Sequence, residues 1–218
     1  MTHPTVSPLR ERIRILLIIY NFSEPYSDPD HPNWARILRS EVKIQKIDFL
    51  FRYPSYLCNE LLREHEAGTI SANEVRGIVR QIFVDNEPQL RTDEMKRFFF
   101  GAYNGLDTTL SALKSLNLID LRSQHNALLK KTNKEYFITH FGAEKITRAL
   151  SQVPAAQWYI ARCELIKHYF GYLSGSDLKR RQYDIETYRE TPLDEVIADI
   201  ENEVRERYFN LFNDSLPL

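Results

Sequence analysis

The sequence predicts a mainly α protein carrying one small β-hairpin, and three observations lead there. Apolar residues recur at helical spacing through most of the chain. Alternation of period two followed by a helix cap marks a short stretch near the middle. The breakers Pro54 and Gly68 fall between the helical runs rather than inside them. The 218 residues are 43% hydrophobic, 27% charged and 12% aromatic, enough for one or two compact domains and unlike a disordered or collagen-like chain.

Ser7 before Pro8 reads as an N-cap with proline at the first helical position, and Leu9, Ile13, Leu16, Leu17 and Tyr20 continue a helix. A strand through Ile13, Ile15, Leu17 and Ile19 is the competing reading. Trp34, Ile37 and Leu38, then Ile44, Ile47, Leu50 and Phe51, read as helix up to Pro54. Ser55 reopens helix as far as Gly68, and an amphipathic helix runs from Ala72 to Phe83. The first half is therefore a helical region, 1–90, without a glycine-rich phosphate loop.

The segment 91–150 carries the fold signal. Met95 to Tyr103 reads as helix, Asn104-Gly105 as a turn, and Asp107 as the cap of a second helix through Leu110, Leu113 and Leu116. Leu118, Ile119 and Leu121 then form a strand. A polar stretch leads to a second strand at Tyr136, Phe137 and Ile138, and Thr139 caps the next helix. Helix, turn, helix and two strands joined by a basic turn is the order of a winged helix. The expected fold is mainly α with a small β-wing: a winged helix-turn-helix domain flanked by helices. The element Tyr136-x-Ile138-Thr139-x-x-Gly142 also resembles the Tyr-x-Leu-Thr-x-x-Gly wing closure of winged-helix regulators, in which the glycine allows close backbone packing.

Between Arg122 and Lys134 lie Arg122, Lys130, Lys131, Lys134 and His125, with no acid. Cations at a wing tip suit phosphate contact, each neutralised phosphate releasing counterions. A solvated hairpin turn is the alternative. On the helix before the wing, Thr108, Thr109 and Lys114 can reach phosphates, but its exposed first turns offer no Arg, Asn or Gln for a bidentate base contact. Double-stranded DNA held without sequence specificity, or a winged helix used for protein docking, fits better than a sequence-specific repressor.

A helix at 158–170 and the turn Phe170 to Lys179 follow in a C-terminal helical region, 151–192. That turn lacks the Gly-Lys-Ser/Thr ending of a phosphate loop. The last segment, 193–218, reads as an amphipathic acidic tail helix. Leu193, Val196, Ile197, Ile200, Val204, Tyr208 and Leu211 form one stripe for a partner or for the chain's own body. Charge divides with it. The net charge is −1, yet Asp184 to Asp214 holds ten acids against three bases, −7, leaving +6 for the rest.

Cys58 and Cys163 stand apart with no CxxC, which predicts two reduced thiols and no zinc site or disulfide framework. The longest apolar run, Ile15 to Tyr20, is far short of a membrane span, so the expectation is a soluble, cytoplasmic protein. Glu64-His65-Glu66 is not a HExxH pair, and Asp48, Asp93, Glu94 and Asp107 are scattered. No nucleophile, acid–base or metal constellation emerges, and a binding protein is the expected class.

Three stretches together suggest a family. Ile44-Gln45-Lys46-Ile47-Asp48-Phe49-Leu50-Phe51-Arg52-Tyr53-Pro54-Ser55-Tyr56-Leu57, Tyr136-Phe137-Ile138-Thr139-His140-Phe141-Gly142, and Phe170-Gly171-Tyr172-Leu173-Ser174-Gly175-Ser176-Asp177-Leu178-Lys179 with Tyr183 resemble the middle components of ABC-three-component systems. These include the small middle subunit of Lamassu-type and plasmid-eliminating defence complexes. The resemblance covers most of 40–190. It implies a non-catalytic winged-helix accessory protein bound to an SMC-like ABC ATPase, in a complex with a nuclease or other effector, acting against phage or plasmids. ATP and Mg²⁺ then belong to the ATPase, and this chain holds no cofactor. The other classes are a stand-alone winged-helix regulator or replication initiator, and a small nuclease.

Overall fold

The computed structural model of the chain describes residues 8–85, 94–99, 101–103, 105–126 and 131–217, with backbone alone at 124–126, 131–133, 151 and 155. Among them the chain is mainly helical with a small antiparallel sheet. It divides into two compact units. One, the sheet unit, joins Thr5–Asp48 to Asn104–Arg181; the other, the insertion unit, joins Phe49–Tyr103 to Gln182–Leu218. This division cuts across the boundaries at 90, 150 and 192 read from the sequence. The segments nearest in sequence are not the ones that share a core.

The sheet unit opens with α1 (Pro8–Phe22), whose Ile15 to Ile19 are buried without a gap, so the helical reading stands over the strand. β1 (Glu24–Pro25) and β2 (Trp34–Leu38) follow, then α2 (Glu41–Arg52), which leads into the insertion. α2 brings Asp48 to Arg14 of α1, a buried ion pair at 2.5 Å. It also buries Lys46, whose amine is pushed down to about 7 by burial and by the nearby charge of Lys179.

Trp34–Leu38 corrects an expectation of helix. Positions 34, 37 and 38 suit one helical face, but the six residues between Asn33 and Ser40 are too few to hold a helix, and strand pairing decides. The insertion unit begins in the last turn of α2 and holds α3 (Pro54–Glu66), with proline in its first turn, and α4 (Ala72–Val84), where Ser71 Oγ accepts from the Glu74 N–H.

Next come β3 (Lys96–Phe98) and β4 (Gly101–Tyr103), an antiparallel hairpin where the sequence predicted the first helix of a helix-turn-helix. Gly101, at φ +91°, supplies the left-handed backbone that reverses the chain there. A run of phenylalanines favours the strand over the helix once a partner strand is present.

Back in the sheet unit are α5 (Asp107–Ser115), β5 (Ile119–Asn126), β6 (Lys131–Thr139) and α6 (His140–Glu144), the last continued by a π turn and a 3₁₀ turn. The sheet runs β1-β2-β6-β5, all antiparallel. Central β6 is buried on both faces: Tyr136 and Ile138 on one, and on the other Phe137, stacked on Trp34 at 3.6 Å. α7 (Pro154–Phe170) packs on α1, and α8 (Gly175–Asp184) starts from a box in which Ser174 and Asp177 bond each other's N–H.

α9 (Glu186–Glu190) and α10 (Glu201–Phe212) complete the insertion unit. Its core is aromatic, with Phe49 packed on Tyr53, Tyr56 and Tyr188. Their hydroxyls serve backbone groups that would otherwise be stranded. Tyr53 Oη accepts from Met95 N–H at 3.0 Å, Tyr188 Oη from Ala102 N–H at 2.6 Å, and Tyr56 Oη donates to the Ala198 carbonyl at 3.0 Å.

Candidate nucleic-acid interface

A helix and a hairpin follow Leu106 as expected, but the polar stretch 122–134 read as their basic turn is largely strand, with β5 running to Asn126 and β6 starting at Lys131. α5 buries Leu110 and Leu113, and Asn117, at φ +58°, turns the chain into β5. Asp107 occupies the first turn of α5 rather than capping it; Leu106 holds the cap position without a side-chain bond. The eight residues of β5 pair in unbroken register with β6, from Ile119 opposite Ile138 to Asn126 opposite Lys131. Thr139 is the N-cap of α6: its hydroxyl accepts from Gly142 N–H at 2.8 Å and donates to the Asn117 carbonyl at 2.7 Å. At Gly142 the helix runs against the exit of α5. A β-carbon there would lie 2.1 Å from the Leu118 carbonyl oxygen, so only glycine fits.

The cations are placed differently from the sequence expectation. Arg122 donates from Nε to Glu135 Oε2, its opposite residue on β6, at 2.7 Å, and its guanidinium lies 5.2 Å from the ring centroids of Trp34 and Phe137. Lys134 reaches Glu41 of α2 at 2.8 Å. Lys114 meets Asp120 at 2.7 Å. Burial pushes the Asp120 carboxyl up, but hydrogen bonds from Lys114, the Leu121 N–H and Trp34 outweigh it and hold the group below the usual carboxylate range.

The stretch Arg122–Lys134 contains no acid, yet its Arg122 and Lys134 find Glu135 and Glu41 outside it, and Asp120 just before it holds Lys114. Pairing across the strands brings these groups together; the signal available in the sequence was acids flanking the basic stretch on both sides. Thr109 is 4% exposed and leaves the set of phosphate contacts, because it faces the core of the unit beside Leu110. Thr108 stays exposed on the first turn of α5. Lys130 lies outside the described residues, and Lys131 is described by its backbone, which opens β6 opposite Asn126.

Folding sharpens the charge division. The sheet unit carries 19 basic against 12 acidic side chains, +7, and the insertion unit 10 against 18, −8.

The tail corrects the partner expectation. Its helix begins only at Glu201, so Leu193, Val196, Ile197 and Ile200 precede it. Ile197, Ile200, Val204 and Tyr208 are buried inside the insertion unit, where α10 packs on α3, and Leu211 is half-buried. The stripe is core in cis. Several acids from 184 onward are engaged too: Asp184 with Arg63 at 2.8 Å, Asp214 with Arg76 and Arg80 at 3.1 and 2.9 Å, and Glu201 with Arg205 at 2.7 Å. Leu193 and Val196 remain exposed.

Among the described residues, no group of three or more His, Cys, Asp or Glu side chains is placed to hold a metal ion, and no helix is long and apolar enough to cross a membrane. No family model, curated protein or solved structure matches the chain.

Proposed function

We propose that the chain is a non-catalytic winged-helix accessory subunit, holding duplex DNA without sequence selectivity for an SMC-like ATPase that works with an effector against phage or plasmids. The observation that carries the DNA half of this reading is the connection order of the sheet unit. α1, β2, α2, α5, β5 and β6 follow as helix, strand, helix, helix, strand, strand, and β6 lies between β2 and β5. That is the order of a winged helix, with α5 in the place of the recognition helix and β5–β6 as the wing. α2, rather than 95–103, then serves as the helix before it, and the insertion unit is spliced between the two.

The charge of +7 on this unit supports phosphate contact. The absence of bidentate base readers from the first turns of α5 supports sequence-blind binding. The ATPase half rests on the resemblance of 40–190 to middle components of three-component systems. Co-expression with a coiled-coil ATPase encoded beside it tests that half: the reading expects one co-eluting complex, and separate elution contradicts it.

A further inference from the structure

The insertion unit exposes an apolar sheet face that the winged-helix reading does not use. β3 pairs with β4 on one side. On the other it takes the extended chain at 194–197, with Arg97 N–H to the Glu195 carbonyl at 2.9 Å, Ile197 N–H to the Met95 carbonyl at 3.0 Å, and Lys96 bridging Val196. Alternation splits these residues between two faces. Met95, Ala102 and Ile197 are buried in the unit. Lys96, Phe98, Tyr103 and Val196 point the other way, with Phe98 and Tyr103 in edge contact at 5.5 Å. Phe98, Tyr103 and Val196 are 37–40% exposed, and Leu193 and Phe99 at the strand ends are 45% and 80% exposed. A soluble unit gains nothing by leaving five large apolar side chains together in water.

We propose that this face is a self-association surface on which two copies of the chain pair. The patch carries both signs of charge. Lys96 stands within it, and the exposed Asp194 and Glu195 border it. A twofold contact sets the lysine of each copy toward the acids of the other, whereas a uniformly basic partner suited to a unit of −8 would meet Lys96 as a like charge. The exposed portions of the five apolar side chains come to roughly 450 Å² per copy, about 900 Å² for the pair, below the roughly 1,200–2,000 Å² of a standard stable interface. A contact of this size is that of a weak, concentration-dependent dimer.

Sedimentation velocity of the full chain from about 5 to about 200 µM tests this. The expected result is a weight-average mass that climbs from monomer toward dimer, with Phe99→Asp weakening association at least tenfold. Leu193→Asp, on the extended segment that the antiparallel register sets beside the Phe99 end of β3, does the same and serves if Phe99→Asp fails to match the wild-type circular dichroism. A wild-type chain that stays monomeric throughout overturns the proposal and leaves the face to a different protein. A dimer that both folded variants retain overturns it by placing the contact elsewhere.

Discussion

Replacing Gly142 by alanine tests the packing of α6 against the exit of α5. In the interior of an open helix this change stabilises by about 1 kcal/mol, because alanine loses less backbone entropy on folding. Here the added β-carbon would sit 2.1 Å from the Leu118 carbonyl oxygen, more than an ångström inside ordinary contact, and 2.9 Å from its carbon. The obstacle is backbone, so relief requires α6 to move away from the α5 exit. That movement stretches the Thr139 cap, bonded at 2.8 Å to Gly142 N–H and at 2.7 Å to Asn117.

Overpacking of this kind costs about 1–3 kcal/mol, and loss of the cap adds about 1 kcal/mol. Gly142→Ala is expected to destabilise by about 2–4 kcal/mol. Gly77→Ala, inside α4 where nothing lies within 4 Å, is the control and is expected to stabilise by about 1 kcal/mol. Urea denaturation followed by far-ultraviolet circular dichroism reads both. Equal and favourable effects at the two glycines would refute the close approach.

Ile200→Asp places a carboxylate in the core of the insertion unit and is expected to cost at least about 3 kcal/mol, with loss of amide protection in α3 and α10 by hydrogen exchange; wild-type stability would return the tail stripe to a partner. Lys46 carries a pH signature. Its folded-state pKa of about 7 lies below the ordinary value of 10.5, so between these the unfolded chain binds more protons and stability rises with pH. Lys46→Met is expected to stabilise by roughly 2–4 kcal/mol near pH 6 and by much less near pH 10, in urea midpoints; an equal gain at both contradicts the assignment. At the wing, Lys130→Glu with Lys131→Glu is expected to weaken duplex binding about tenfold or more without loss of stability, measured by fluorescence anisotropy. Arg122→Ala is expected to do the reverse, lowering the urea midpoint through loss of the Glu135 pair and its aromatic stack; a larger effect on affinity than on stability would make Arg122 a phosphate contact.

Local signals carried the elements whose ends are fixed by short-range chemistry. Proline at the start of α3, Ser71 at α4 and Thr139 at α6 mark helix starts because the capping groups lie within three residues of the N–H groups they serve. Gly142 was legible from the Tyr136-x-Ile138-Thr139-x-x-Gly142 motif, although the backbone it meets, at Leu118, lies well before it in the chain. Of the two strands misread as helix, Lys96–Phe98 has one partner close by, Gly101–Tyr103, but its other partner, the 194–197 segment, and the Thr139–Tyr136 partner of Trp34–Leu38 lie about 98 or more residues away, beyond any local pattern. The same holds for the site. Arg122 and Lys134 read as free cations because Glu135 and Glu41 join them only through pairing across the fold. The tail stripe was correctly apolar, but hydrophobic spacing does not say which surface covers it, and α3 does.

The central claim is that the basic unit holds duplex DNA through backbone charge rather than base sequence. Its most direct measurement is a titration of the full chain, by fluorescence anisotropy, against two duplexes of equal length and unrelated sequence at several salt concentrations. The account predicts affinities within about threefold of each other that fall together with salt, with a slope of log affinity on log salt of about −2 or steeper. No binding at the lowest salt, or a preference of about a hundredfold or more for one sequence, contradicts it.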